Sequence, residues 1–277
     1  MITIGIVGTW KNTGKTTTLS HLLRKLATNK VRIAVTGIGY DGEEIDNITA
    51  LPKPRLLFDR DTIVTTSEKC LENVDLYYKI LDKTNYKTAL GNVNIIEMFS
   101  SGMIVVAGPN KKSSLQSFFF DLEKYGVDVL FIDGSLNRIA PLSIVDYIIF
   151  ATGASRSQEI NFLAEEMASI EFLFSLPLAG IVYNCDFIQI KNSNGITDLA
   201  FSSVFDSEDA GIVLANLTAD YNQVIIPKII SDECLDYFNA HQQKNTKICL
   251  VVESPIALLL SGNPIQTVNK VKDFIAK

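Results

Sequence analysis

Gly8-Thr9-Trp10-Lys11-Asn12-Thr13-Gly14-Lys15-Thr16-Thr17 stands between an apolar, β-branched run, Ile2-Thr3-Ile4-Gly5-Ile6-Val7, and a segment in which Leu19, Leu22, Leu23 and Leu26 recur at i, i+3, i+4 and i+7. The run predicts a buried strand stopped at Gly8. The leucine stripe, with Arg24 and Lys25 off it, predicts an amphipathic helix from Thr16 onward. A turn of this kind is suited to a phosphate group. Its backbone N–H groups turn inward, a glycine leaves room for the anion, and the positive end of the helix dipole faces it. Gly14 and the helix start supply these parts, Lys15 is expected to reach β- and γ-phosphates, and the Thr16 hydroxyl to bind Mg²⁺. The plainer alternative is a glycine turn before a lysine-bearing helix, with no ligand.

Working outward, residues 30–39 read as a second strand, so the chain opens with strand, helix, strand, the mark of a parallel crossover. Residues 93–97 and 103–107, joined by Phe-Ser-Ser-Gly, predict a hairpin with Gly102 at its turn. Three continuously apolar runs, 127–132, 147–150 and 178–183, read as central parallel strands. Between them 158–170 predicts a helix with Ile160, Leu163, Ala164 and Met167 on one face. Residues 40–90 are less regular, with Pro52 and Pro54 in a loop and a helix over 69–81. After Asp186 come a strand at 224–230, a helix from about Ser231 and a strand at 247–252. This alternation predicts an α/β fold, a doubly wound and mostly parallel sheet. Without repeat, low-complexity tract or linker, residues 1–277 read as a single domain, with 186–277 as its C-terminal extension.

Composition agrees. The 277 residues are 47% hydrophobic and 20% charged, which excludes disordered, collagen-like and coiled-coil classes. A net charge of −6 disfavours a nucleic-acid partner. Cys70, Cys185, Cys234 and Cys249 form no CxxC pair and read as reduced core thiols; two histidines far apart argue against a histidine metal site. No signal-peptide order follows Met1, and the longest apolar stretch, 172–183, contains Ser175 and Pro177 and is too short to span a bilayer. The expectation is a soluble, cytoplasmic protein without a membrane partner.

A bound triphosphate needs a carboxylate at the end of a neighbouring strand to serve its Mg²⁺. Asp133 fits, closing the apolar run Val129-Leu130-Phe131-Ile132 before Gly134, although an aspartate there also serves as a loop cap. Glu97, at the end of another strand, is the weaker candidate.

The pattern Gly-Thr-x4-Gly-Lys-Thr, with five residues between Gly8 and Gly14, resembles the variant P-loop of dethiobiotin synthetases and cobyrinic acid amidases, relatives of the MinD-type ATPases. The resemblance implies a P-loop NTPase fold in which Gly8, Thr9, Lys11, Asn12, Thr13, Gly14, Lys15, Thr16 and Thr17 hold the nucleotide. Lys15 and Asp133 would be catalytic, and Thr16, Asp41 and Asp133 would serve the metal. Asp41 is otherwise an ordinary turn acid. Asn184, ending Leu178-Ala179-Gly180-Ile181-Val182-Tyr183, resembles the asparagine that reads the purine, and is otherwise a cap. The loop Ala151-Thr152-Gly153-Ala154-Ser155-Arg156-Ser157 follows a strand as in that class, and Arg156 either neutralises developing charge or pairs with Glu159. No Asn-Lys-x-Asp guanine motif is present, so ATP and Mg²⁺ are the implied cofactors. Two positions depart from the relatives: Trp10 replaces the extra lysine of MinD-type loops, with Lys11 one place late, and Gly37-Ile38-Gly39 stands where the synthetases carry Lys-Pro.

Further segments narrow the likeness. The opening loop, Ile38-Gly39-Tyr40-Asp41-Gly42-Glu43-Glu44-Ile45-Asp46-Asn47, Leu51-Pro52-Lys53-Pro54-Arg55 and Ala107-Gly108-Pro109-Asn110 resemble the reactivase subunit that accompanies lysine 5,6-aminomutase. That likeness implies an ATPase working with an adenosylcobalamin-dependent aminomutase, beside a MutS-like ATPase subunit, to exchange damaged cobalamin. It also admits a homodimer. The wider family offers a carboxylate or carbamate ligase of the dethiobiotin synthetase type, or a MinD-like ATP-switched scaffold, as alternatives.

Overall fold

The computed structural model describes residues 1–27, 30–39, 56–72, 74–135, 139–180, 185–219, 221–241, 247–260 and 262–276. By internal contacts the chain divides into two compact units, Met1–Gln158 and Glu159–Lys277, where the sequence suggested a single domain with an extension from 186.

The first unit contains β1 (Ile2–Gly8), α1 (Lys15–Leu26), β2 (Ile33–Gly37), β3 (Leu56–Phe58), β4 (Ile63–Ser67), β5 (Tyr78–Thr88), β6 (Gly91–Met98), β7 (Gly102–Ile104), α2 (Lys112–Glu123), β8 (Val129–Ser135) and β9 (Tyr147–Ala151). Seven of these strands form a sheet in the order β5-β6-β4-β2-β8-β1-β9. From β4 to β9 all neighbours are parallel; β6 and β5 add an antiparallel edge. The unit is therefore α/β with a mostly parallel sheet.

Both faces of the sheet are covered. On one, Leu19 and Leu23 of α1 pack with Ile6, Val35, Val64, Ile96 and Phe131, so the leucine stripe finds the core that its period demands. Fully burying one such leucine contributes about 1.5–3 kcal/mol. On the other, Gly5 and Gly134 face Leu142 of the 3-10 turn Ala140–Ile144, against which α2 packs through a side that buries Leu115, Phe118 and Leu122. Added β-carbons at Gly5 and Gly134 would come within 3.0 and 3.1 Å of the Leu142 side chain, so the two glycines let that side chain lie close on the sheet.

Several expectations are corrected here. Residues 93–97 and 103–107 do not pair. β6 already has β4 and β5 on its two sides, and β7 pairs instead with β3 in a separate two-stranded ribbon. The hairpin is β5–β6, with Gly91 at φ 96 after its turn. Instead of a helix at 69–81 there is a single 3-10 turn, Glu68–Leu71, and then β5. The apolar spacing at 71, 74, 78 and 81 imitates a helix, but pairing with β6 decides the outcome. β5 carries two register shifts, between Ile80 and Asp82 and between Lys83 and Lys87. β9 is the outermost strand of this sheet among the described residues, not a central one.

At the carboxyl ends of β2 and β4 the two strands stop pairing after Val35 and Val64, and residues 106–108 come between them. The Ala107 N–H donates to the Thr65 carbonyl at 2.9 Å, the Thr65 hydroxyl donates to the Ala107 carbonyl at 2.5 Å, and Gly108 bridges to Gly39. Gly108 has no room for a β-carbon beside the Thr36 hydroxyl and the Gly37 carbonyl.

The second unit holds α3 (Ile160–Phe174), β10 (Gln189–Asn192), β11 (Gly195–Asp198), α4 (Ser207–Ala215), β12 (Tyr221–Ile226), α5 (Asp232–His241), β13 (Lys247–Val252), α6 (Ile256–Leu259) and α7 (Pro264–Ile275). Its sheet runs β11-β10-β12-β13, with β12 and β13 parallel across the α5 crossover. Asn222, fully buried, ties the sheet to the preceding turn by accepting from the Thr218 N–H at 2.9 Å and donating to its carbonyl at 2.9 Å. One more expectation fails in this unit: α3 buries Glu166, Ser169, Ile170 and Leu173, while Ile160 of the expected face is 79% exposed. Of the strand expected over 178–183, residues 178–180 form no strand and Leu178 is exposed, and 181–183 lie outside the described residues. All four cysteines are free thiols, and only Cys234 is fully buried. Among the described residues no helix is long and apolar enough to cross a membrane.

Candidate functional site

β1 delivers Gly8 to the carboxyl edge of the parallel strands, and α1 leaves from Lys15, so residues 9–14 close the turn between β8 and the outer strand β9. In α/β sheets this edge, where neighbouring connections diverge, is where ligands bind. The turn is shaped by left-handed backbone at Asn12 (φ 58) and at Gly14 (φ 94), the residue capping α1. Such a conformation aims successive N–H groups toward one point. A β-carbon on Gly8 would lie 2.7 Å from the Thr13 hydroxyl and 3.0 Å from the Trp10 carbonyl, so the first glycine is required by the close return of the loop.

Two threonines hold the loop together. Thr13 donates its hydroxyl to the Trp10 carbonyl at 2.9 Å. Thr9, almost fully buried, donates its N–H to the Ala151 carbonyl at 3.0 Å and its hydroxyl to that of Thr152 at 2.9 Å. These two hydroxyls are committed to the scaffold. Lys11, Asn12 and Thr17 are exposed, and Thr16 is half-buried in the first turn of α1. Thr18, not singled out in the sequence, returns its hydroxyl to the Gly14 carbonyl at 3.1 Å and fixes that turn.

Asp133 lies on the strand next to β1, level with Ile6 on one side and Gly37 on the other. The Lys15 ammonium approaches its Oδ1 to 2.8 Å, with each side chain 26% exposed. That oxygen is buried and receives no well-directed hydrogen bond, so the contact is one of charge alone. The loop lysine and the strand aspartate, far apart in sequence, thus meet at one point. Among the described residues no three His, Cys, Asp or Glu side chains gather as a metal site. A divalent ion here would draw on one carboxylate and one hydroxyl and take its remaining oxygens from phosphate and water, the manner in which Mg²⁺ is usually held.

The remaining candidates fall elsewhere. Asp41 and Asn184 lie outside the described residues, as do Leu51 to Arg55. Glu97 is excluded: it sits level with Ile63 at the amino end of β4 and accepts from Arg32 at 2.8 Å, at the opposite edge of the sheet. Residues 107–110 are placed at the carboxyl end of β2, next to the strand that carries Asp133.

A further pair was not foreseen. The loop after β9 is fastened to the β1–α1 loop by Thr9, and its Gly153 faces the Thr13 carbonyl. From this loop the Arg156 guanidinium lies over the Trp10 ring, 5.2 Å from its centroid. Composition offered one hint, a lone tryptophan inside the glycine-bounded turn from β1 to α1. Comparison with family models, curated proteins and solved structures gave no match, so the reading of this site rests on its own residues.

Proposed function

We propose that the chain is a P-loop ATPase that binds Mg-ATP at the turn from β1 to α1. The observation that carries the reading is the meeting of Lys15 and Asp133 at 2.8 Å beside a glycine-formed anion cradle at a helix N-terminus. Two features support a triphosphate and its ion: left-handed backbone at Asn12 and Gly14 turns N–H groups of the loop toward one point, and Asp133 presents a buried oxygen, without a well-directed hydrogen bond, beside the Lys15 ammonium. Mg²⁺, when bound, neutralises charge on the β- and γ-oxygens. Lys15 would turn from Asp133 to the phosphates, backbone N–H groups around Gly14 would donate to the anion, and the half-buried Thr16 hydroxyl with Asp133 would hold the ion's shell.

We further propose, on the residues quoted above, that this ATPase serves an adenosylcobalamin-dependent lysine 5,6-aminomutase as part of a reactivating assembly with a MutS-like ATPase subunit. Binding and hydrolysis would then alternate two conformations of the segments flanking the site, which a docked partner reads. Lys15→Ala tests the site: calorimetry should show Mg-ATP binding lost, and retained binding would overturn the reading. ATP turnover with and without the aminomutase tests the partner. Stimulation supports the reactivase; ADP release that requires a carboxylate and no protein points to the ligase, and ATP-dependent homodimerisation without either points to the scaffold.

A further inference from the structure

We infer that residues 106–109 are a two-position wedge in the sheet, whose seating is coupled to occupancy of the Lys15–Asp133 site. The parallel register of β2 with β4 sets Ala34 beside Ile63 and Val35 beside Val64, and there the wedge interrupts it. Carried on, the same register would set Thr36 beside Thr65 and Gly37 beside Thr66. Thr36 and Thr65 remain abreast even so, both fully buried, with their hydroxyls 2.7 Å apart. The Thr65 carbonyl now accepts from the Ala107 N–H at 2.9 Å, and in a continued ladder it would accept from β2 instead. Buried backbone groups are nearly always paired, so the two arrangements are discrete. Glycine admits the wedge: a β-carbon on Gly37 would lie 3.3 Å from the Val106 carbonyl, and Gly108 has no room for one.

The seated arrangement is not fully satisfied. At the level of the interruption the Thr66 hydroxyl and, directly opposite it on β6, the Asn94 side-chain oxygen are buried without a hydrogen-bond partner. Such orphans raise the seated state and narrow its lead over the other. The site reaches the wedge through two residues. The Asp133 carbonyl accepts from the Ile38 N–H at 3.1 Å, and the next residue, Gly39, accepts from the Gly108 N–H at 3.2 Å and donates to the Pro109 carbonyl at 3.4 Å. A nucleotide that draws Lys15 from Asp133 and sets that carboxylate on an ion fixes this stretch of β8, with it Ile38 and Gly39, and so favours the seated wedge. Helix α2 begins at Lys112, so the position of the wedge is carried into its first turn.

The coupling rests on the nucleotide reading above; the wedge itself does not. Amide hydrogen exchange at Ala107 and Gly108 is followed by NMR in the full-length chain, with and without Mg-ATP, for the unaltered protein, Thr65→Val and Thr65→Ser, and binding is measured by calorimetry. Thr65→Val removes the hydroxyl that donates to the Ala107 carbonyl. Without nucleotide it should exchange about tenfold faster at these two amides while those of Ile4 and Ile6 in β1 keep their rates, and Thr65→Ser should stay near the unaltered chain. Mg-ATP should slow exchange at both amides of the unaltered chain, and by reciprocity Thr65→Val should bind it more weakly, by no more than that factor. Unchanged exchange in Thr65→Val, or a rise shared equally by β1, would overturn the wedge. Binding of Mg-ATP that leaves Ala107 and Gly108 unaffected would overturn the coupling alone, and this arm holds even where Thr65→Val fails to fold. Failure of the unaltered chain to bind Mg-ATP would overturn the nucleotide reading itself, and the coupling with it.

Discussion

Replacing Asp133 by asparagine should tighten the binding of ATP when no Mg²⁺ is present. In the structure the Lys15 ammonium is neutralised by Asp133 at 2.8 Å, with both groups about a quarter exposed. Bare Coulomb attraction at that separation is about 1.5 kcal/mol in water and about 6 kcal/mol at an effective dielectric constant near 20. Lost hydration and solvent screening reduce the net to about 1–2 kcal/mol for a partly exposed pair. A triphosphate arriving alone must give up that amount and leave Asp133 facing a second anion. Asparagine keeps the shape and removes both costs, so affinity in EDTA should rise about five- to thirtyfold. With excess Mg²⁺ the sign reverses, because the carboxylate that served the ion is gone. Isothermal titration of ATP in EDTA and in excess MgCl2, for the unaltered chain and for Asp133→Asn, measures both arms. Binding in EDTA no tighter for the variant would refute the argument that the ion pair competes with the ligand.

Two predictions concern the scaffold. Gly108→Ala should lower stability by about 1–3 kcal/mol, the usual range for overpacking, because a β-carbon there collides with the Thr36 hydroxyl and the Gly37 backbone; an unshifted midpoint in urea would show that 106–108 is not tightly wedged. Asp146 accepts from the Thr3 N–H and hydroxyl, both at 2.8 Å, and these bonds, the backbone one first, hold its carboxyl below the usual value of 3.8. A lowered folded value means that the contribution is present above about pH 4 and fades as pH falls through the folded value. Asp146→Asn should therefore flatten the acid limb of the stability curve, and urea midpoints from pH 7 down to pH 3 that run parallel to the unaltered chain would contradict this.

What the sequence disclosed depended on how local the cause was. β1, α1 and the strand carrying Asp133 follow from short-range patterns: a β-branched run, a leucine period and an apolar stretch closed by an acid. The apolar run at 247–252 coincides with β13 for the same reason. Residues 69–81 misled because helical spacing and strand pairing compete there, and the partner strand β6 lies beyond any local window. α3 is apolar nearly all round, with Phe162, Leu163, Met167, Phe172 and Phe174 on different sides, so its period could not select Ile170 and Leu173 as the buried face. Within the site, the loop and Asp133 announced themselves by residue type and position. Arg156 on Trp10 did not, since no spacing rule joins a side chain in one crossover turn to a ring in another.

The outer strand of the antiparallel edge carries a consequence for solubility. β5 presents exposed Lys79, Lys83 and Lys87 along its length, and its two register shifts break the ladder into short pieces. Charge and irregularity together make a poor template for a strand from another molecule. Fibrillar growth by stacking of this sheet should be blocked from that side, even in a concentrated and crowded solution.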